Sequence, residues 1–201
     1  MVQRNNLIIG QEDLLVIIDA QNDFILEDGK LYVKGVPGES SNEVIVAGIK
    51  EVCKKFKRHV TTEDKHGTNH IEFGIFGEHC VVSTPGQKYI TELLPVYDTA
   101  DENIKKGNDS SIISYSIATS SQFSSHVRRL RFAEIRRIFL VGWAYTHCVG
   151  ESAISYACQG FEVYVIEDLT RSVPPPYGDI EKMKKKLELY GVKEVFLKDI
   201  E

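Results

Sequence analysis

The sequence predicts an α/β protein built on a mostly parallel central sheet. Short apolar runs rich in branched residues, LLVII at 14–18, RIFLV at 137–141 and EVYVI at 162–166, alternate with helix-like segments along 201 residues. Runs of that kind read as strands buried on both faces. A strand–helix–strand–helix succession implies parallel pairing through right-handed crossovers. The length, with 42% hydrophobic and 26% charged residues, suits one domain over residues 1–201, and no repeat or linker divides it.

The elements follow in order. Leu14 to Ile18 is the opening strand. Residues 43–56 carry helical spacing, and residues 59–63 are read as a second, more polar strand. From about 64 to 101 the chain is rich in Gly, His, Pro and Ser and reads as a long loop, of the length that compact domains keep for function. Asn103 to Lys106 is a short strand and Ser120 to Arg131 a helix. After the RIFLV strand, Cys148 to Gln159 is a helix with apolar residues at 149, 153, 156 and 157, stopped by Gly160. The EVYVI strand, a helix over 178–190 ending at Gly191, and a last strand over Val195 to Leu197 complete the chain.

Charge excludes some functions. The net charge is −5, which argues against a nucleic-acid partner. The one dense basic run, Lys182 to Lys186, sits in a helical pattern and reads as a solvated face. No apolar run approaches the ~20 residues that span a bilayer. The opening MVQRNNLIIGQED lacks the hydrophobic region of a signal peptide, so a cytoplasmic protein without a membrane partner is expected. The four cysteines form no CxxC pair and are expected to be reduced.

In parallel sheets ligands sit beyond the carboxyl ends of the strands. Asp19 directly follows the first strand, where a carboxylate loses hydration and needs a partner or a task. Cys148 follows the RIFLV strand by the turn GWAYTH and opens a helix. The free amides and positive dipole end there favour thiolate and can hold an oxyanion. Cys80, beside His79, is the rival nucleophile, whereas Cys53 and Cys158 read as core residues. Lys106 ends a candidate strand before Gly107. The segment EDKHGTNH, 63–70, gathers Asp64, His66 and His70 within seven residues, donors that suit Zn²⁺, Fe²⁺ or Mn²⁺. His79 is a further candidate contact. By spacing alone, a polar loop and a metal site are equally good readings.

Together these residues resemble the nicotinamidases (pyrazinamidases) of the isochorismatase-like cysteine hydrolases, from about Leu14 to Val195. Four segments carry the resemblance: IIDAQNDF at 17–24, DKHGTNH at 64–70, EHCVVSTPGQKYITEL at 78–93 and GWAYTHCVGESAISYACQGFEV at 142–163. The resemblance implies a three-layer α/β/α fold and a hydrolase of small carboxamides. It maps the nucleophile onto Cys148, its partners onto Asp19 and Lys106, and the metal ligands onto Asp64, His66 and His70. It also implies a cis peptide at Trp143-Ala144, an oxyanion hole of the Ala144 and Cys148 amides, and frequent self-association into homo-oligomers. The divalent metal, zinc before iron or manganese, would bind the ring nitrogen of the substrate. Phe24, Phe76, Tyr115 and Trp143 are the expected aromatic walls.

The chain departs from the family pattern at Tyr145-Thr146, where relatives usually have Thr-Asp, at Phe76-Gly77 in place of Trp-Pro, and at Lys65, usually Trp. SYSIA at 114–118 also stands where relatives often have an aromatic after the Ser. These departures motivate one alternative, a hydrolase of carbamoyl or ureido compounds. Two others are a metallohydrolase in which the metal activates water, and an inactive scaffold that binds a partner.

Overall fold

The three apolar runs form the middle of a six-stranded sheet. In the computed structural model, which describes residues 6–201, the strands are β1 (Asp13–Ile18), β2 (His59–Asp64), β3 (Glu102–Lys106), β4 (Arg137–Trp143), β5 (Glu162–Arg171) and β6 (Lys193–Val195). Their order is β3-β2-β1-β4-β5-β6, and every neighbouring pair is parallel. The first five residues of the stretch inspected for a targeting signal lie outside the described residues.

Strand alternation divides the core. Leu14, Val16 and Ile18 of β1 face one apolar cluster, and Leu15 and Ile17 face the other. Helix α1 (Asn42–Cys53) covers the second cluster with Ile45, Val46, Ile49 and Val52. Helices α2 (Phe123–Phe132), α3 (Gly150–Cys158) and α4 (Ile180–Leu189) cover the first with Val127, Leu130, Ala153, Ile154, Met183 and Leu187. The result is a helix–sheet–helix sandwich. Side-chain caps start two of these helices: Ser41 accepts from the Val44 amide and Asp179 from the Lys182 amide.

Several boundaries differ from the sequence reading, each for a local reason. The stretch from 64 to 101 is folded, with short helical turns at Phe73–Phe76, Thr91–Leu93 and Leu94–Asp98. Backbone bonds from His66 N to Cys80 O (3.0 Å) and Val82 N to His66 O (2.9 Å) pin it back on itself. Helix α2 begins at Phe123, because Ser120 Oγ donates to the Lys105 carbonyl at 2.7 Å and the chain bends there. The last strand is Lys193–Val195, held by the pairing of Ile166 with Val195, and Leu197 already belongs to a 3₁₀ turn. Cys148 does not open its helix. The helical path starts at Tyr145 with a π-type turn over Tyr145–Val149, in which the Val149 amide bonds to the Ala144 carbonyl at 3.1 Å.

Strand order reverses between β1 and β4, the place where ligands bind in open parallel sheets. Gly142 makes the close approach there possible: its φ is 110°, and a Cβ would lie 2.1 Å from the Ile18 carbonyl oxygen. Among the described residues no helix is long and apolar enough to cross a membrane.

Candidate active site

Four strand ends converge at this point. β1 delivers Asp19, β2 ends on Asp64, β3 ends on Lys106, and β4 leads into the turn that carries Cys148. Asp19 adopts φ 49°, a left-handed conformation that aspartate tolerates better than most residues. Its Oδ1 accepts from Thr62 Oγ1 at 2.6 Å, which orients the carboxylate.

Lys106 is the hub. Its Nζ lies 2.8 Å from Asp19 Oδ2, 2.5 Å from Asp64 Oδ1 and 3.4 Å from Cys148 Sγ. Lys106 is 1% exposed, Asp19 0% and Cys148 7%. One oxygen each of Asp19 and Asp64 and the Cys148 sulfur lie within 4.8 Å of one another. The sequence nominated Asp19, Lys106 and Cys148, and the fold brings all three together.

Burial and charge set the protonation states. Burial raises Asp19 to about 6, against the lowering effect of Lys106. Burial works the same way on Asp64, but Lys106, His66 and His79 outweigh it and hold that carboxyl well below the usual range. Lys106 is pushed well above its ordinary value: burial lowers it, and Asp19, Asp64 and Cys148 together raise it further. The Cys148 thiol is raised well above its ordinary value by burial, more than Lys106 lowers it. The resting group is therefore a thiol, whereas helix position alone suggested thiolate. Cys80 is fully buried beneath the site and absent from the cavity lining, with its amide on Asp23 Oδ2 at 2.7 Å.

Beside Asp64 lies a cluster of imidazoles. Asp64, His66 and His79 can offer atoms within 4.8 Å of one another, and so can His66, His70 and Glu72. His66 is shared by both groups. It is 0% exposed, and neither ring nitrogen has a hydrogen-bond partner. Such an orphaned ring in a polar, acidic surrounding fits a metal cation as its missing partner. His70 is committed elsewhere: its Nε2 meets the Asp109 carbonyl at 3.1 Å and its Nδ1 accepts from the Glu72 amide at 3.3 Å. His79 lies in the same group as Asp64 and also lines the cavity. Gly107 lets β3 leave without striking this cluster, since a Cβ there would lie 2.6 Å from the His66 ring.

A small cavity of about 30 Å³, open at its mouth, joins the two clusters. Phe24, Phe76, Tyr115 and Trp143, the four nominated aromatics, all line it, as do Ala144 and Cys148. Trp143 is fully buried, with Nε1 donating to Asn42 Oδ1 at 2.9 Å, and the Trp143-Ala144 peptide is cis. His147 and Glu72 line it too and were not nominated. His147 packs against Phe76 and Tyr115, with ring centroids 5.5 and 5.0 Å away. Of the departures from the family pattern, Tyr145 turns away to donate to Glu194 at 2.6 Å. Thr146 accepts from the Val173 amide at 3.1 Å, which draws Val173 into the wall.

A family model described as the isochorismatase domain matches residues 13–186. The nicotinamidase of Saccharomyces cerevisiae is 24% identical over 213 residues, covering 90% of this chain and 98% of that protein. A crystal structure of PnC1 from L. infantum in complex with nicotinate is 27% identical with a TM-score of 0.82, covering 98% of each chain. The pyrazinamidase of Pyrococcus horikoshii in complex with zinc is 27% identical with a TM-score of 0.76, covering 92% of this chain and 99% of that one.

Proposed function

The chain belongs to the isochorismatase family, and on that premise we propose that it is a nicotinamidase, hydrolysing nicotinamide, and pyrazinamide with it, to the acid and ammonia. The observation that carries this reading is the contact of one buried ammonium, Lys106, with both Asp19 and Cys148, the last of which lines an aromatic cavity. The nicotinate-bound and zinc-bound relatives support the substrate class and the metal.

The carboxamide carbon lies over Cys148. As the sulfur–carbon bond forms, the thiol proton passes to Asp19, so the high thiol pKa is met by a base in reach and free thiolate need not accumulate. The amides of Ala144 and Cys148 hold the developing oxyanion. Asp19 returns the proton to the amine, ammonia leaves, and a thioester remains. Water then attacks the thioester, Asp19 takes its proton, and the acid departs as the thiol re-forms. Lys106 favours the ionised form of Asp19 at the start of each half, when it acts as base.

Of the expected ligands, Asp64 and His66 would hold the divalent cation, zinc first, with His79 in place of His70; the group His66, His70 and Glu72, which shares His66, is the alternative set. When bound, the metal supplies a Lewis-acid anchor for the ring nitrogen, which orients the amide without touching the carbonyl. A cytoplasmic enzyme of NAD salvage follows from this reading.

Ammonia release from nicotinamide, pyrazinamide and a set of carbamoyl and ureido compounds tests the proposal. Turnover of the two aromatic amides alone supports it. Turnover confined to the carbamoyl or ureido compounds would replace it with the related hydrolase.

A further inference from the structure

Glu72 divides its two oxygens between different parts of the site. It is 2% exposed. Oε1 accepts twice from Ser114, from the amide at 2.6 Å and from Oγ at 2.8 Å. Oε2 has no such tie, and stands 4.0 Å from His66 Nε2 and 3.9 Å from His79 Nε2. The two bonds to Ser114, at 2.6 and 2.8 Å, are of the length at which bonds to a carboxylate are strong and directional.

Ser114 is itself 1% exposed and immediately precedes Tyr115, which lines the cavity. On the other side of Tyr115 the chain is pinned to α3, the helix that continues from Cys148. Ser116 Oγ meets Ser155 Oγ at 2.6 Å, and the Ile117 amide donates to Ser152 Oγ at 3.0 Å. Tyr115 therefore hangs between one fixed post on α3 and one post on Glu72. Only the second post moves if the imidazole cluster rearranges.

We infer that Ser114 is a positioning residue: through Glu72 it ties the aromatic wall at Tyr115 to the metal-ligand cluster, so that metal loading sets the shape of the ring pocket as well as anchoring the ring. A cation drawn in by Asp64, His66 and His79 attracts Glu72 Oε2, and the same carboxylate then draws Ser114 and Tyr115 with it. Coupling of this kind is reciprocal: a ligand that packs on Tyr115 tightens the metal by the factor the metal tightens the ligand. The inference rests on the metal reading above, and its test uses no turnover.

Benzamide is the probe, because it has the ring and the amide but no ring nitrogen to meet the metal. The protein is the Cys148→Ala form, and Trp143, the sole tryptophan and part of the cavity wall, is the reporter. Benzamide affinity is measured by Trp143 fluorescence with zinc bound and after its removal, and zinc affinity with and without benzamide. Zinc should tighten benzamide about 5-fold or more, the lower end of ordinary coupling. Ser114→Ala should bring that ratio close to 1, and Ser114→Thr, which restores a hydroxyl, should recover it. Equal benzamide affinity with and without zinc in the Ser114-containing protein overturns the inference without any further variant. So does full coupling in Ser114→Ala. Because benzamide binding does not depend on which amide is hydrolysed, loss of nicotinamide turnover as the activity would leave these outcomes readable.

Discussion

Lys106 Nζ stands 2.8 Å from Asp19 Oδ2 with both side chains sealed from solvent. The buried Asp19 charge is tolerable only because the ammonium is present. Lys106 also offsets Asp64, so three buried charges carry a net of one negative charge that the imidazole cluster faces.

Removing the ammonium should therefore harm folding as well as chemistry. Lys106→Met leaves two carboxylates buried beside an apolar chain. Breaking such a pair costs about 3–5 kcal/mol. Urea unfolding should show that loss at pH 8 and a smaller one at pH 5, where the stranded carboxyls are more easily protonated. Loss of the same size at both pH values would mean the charges are solvated.

The pH profile should follow Asp19. Its carboxyl is raised to about 6 by burial, and the reaction uses it ionised. Activity should be full above that value and fall tenfold per unit as pH drops below it, which kcat/KM for nicotinamide between pH 4.5 and 8 would record. Because the folded value exceeds the ordinary 3.8, the ionised group costs folding stability at neutral pH, and that cost shrinks as pH falls below about 6 and is gone below about 3.8. Asp19→Asn should then lose activity at every pH while unfolding no sooner at pH 7. A flat activity profile would remove Asp19 as the base.

Metal removal separates positioning from thiol chemistry. His66→Ala deletes the ring whose two nitrogens lack partners, and should lower zinc affinity by at least about 10-fold. Nicotinamide turnover should fall with it, while alkylation of Cys148 by iodoacetamide continues. Retention of zinc at full affinity would exclude His66 as a ligand.

Away from the site, Glu102 joins β3 to α2. It lies 3.2 Å from His126 Nδ1 and pairs with Arg129, and His126 Nε2 meets Tyr156 Oη at 2.8 Å. Burial would raise Glu102, but Arg129 and His126 together lower it from 4.5 to about 2. The stabilisation is then complete above about 4.5 and is lost as pH falls toward 2. Glu102→Gln should cost roughly 1–2 kcal/mol at pH 7, kept modest by the exposure of Arg129. The gap to the unsubstituted protein should narrow by pH 3, as chemical denaturation would show.

The sheet could be read from the sequence because its central strands are buried on both faces, and continuous branched runs are how that burial is written. β6 was read two residues late, at Val195 to Leu197, since it is a short polar edge strand whose bounds are set by its pairing with β5. Asp19 and Cys148 were visible because each stands directly after such a run or its turn. Lys106 was different: a lysine is normally solvated, and only the family pattern singled it out. Glu72 and Ser114 went unnoticed because their bond spans 42 residues and neither side chain carries a local signature. A clue was present in Glu72 falling between His70 and His79. The π-type turn at Tyr145–Val149 has the same apolar spacing as an α-helix and left no trace in the pattern.

The central claim is that Cys148 forms the bond to the substrate. The direct measurement is acid-quenched mass analysis of protein mixed with nicotinamide, beside ammonia release, for the unsubstituted chain and Cys148→Ala. The account predicts an acyl adduct on the peptide containing Cys148 during turnover, and neither adduct nor ammonia from Cys148→Ala. Ammonia release by Cys148→Ala at an undiminished rate would contradict it and return the chemistry to the metal cluster.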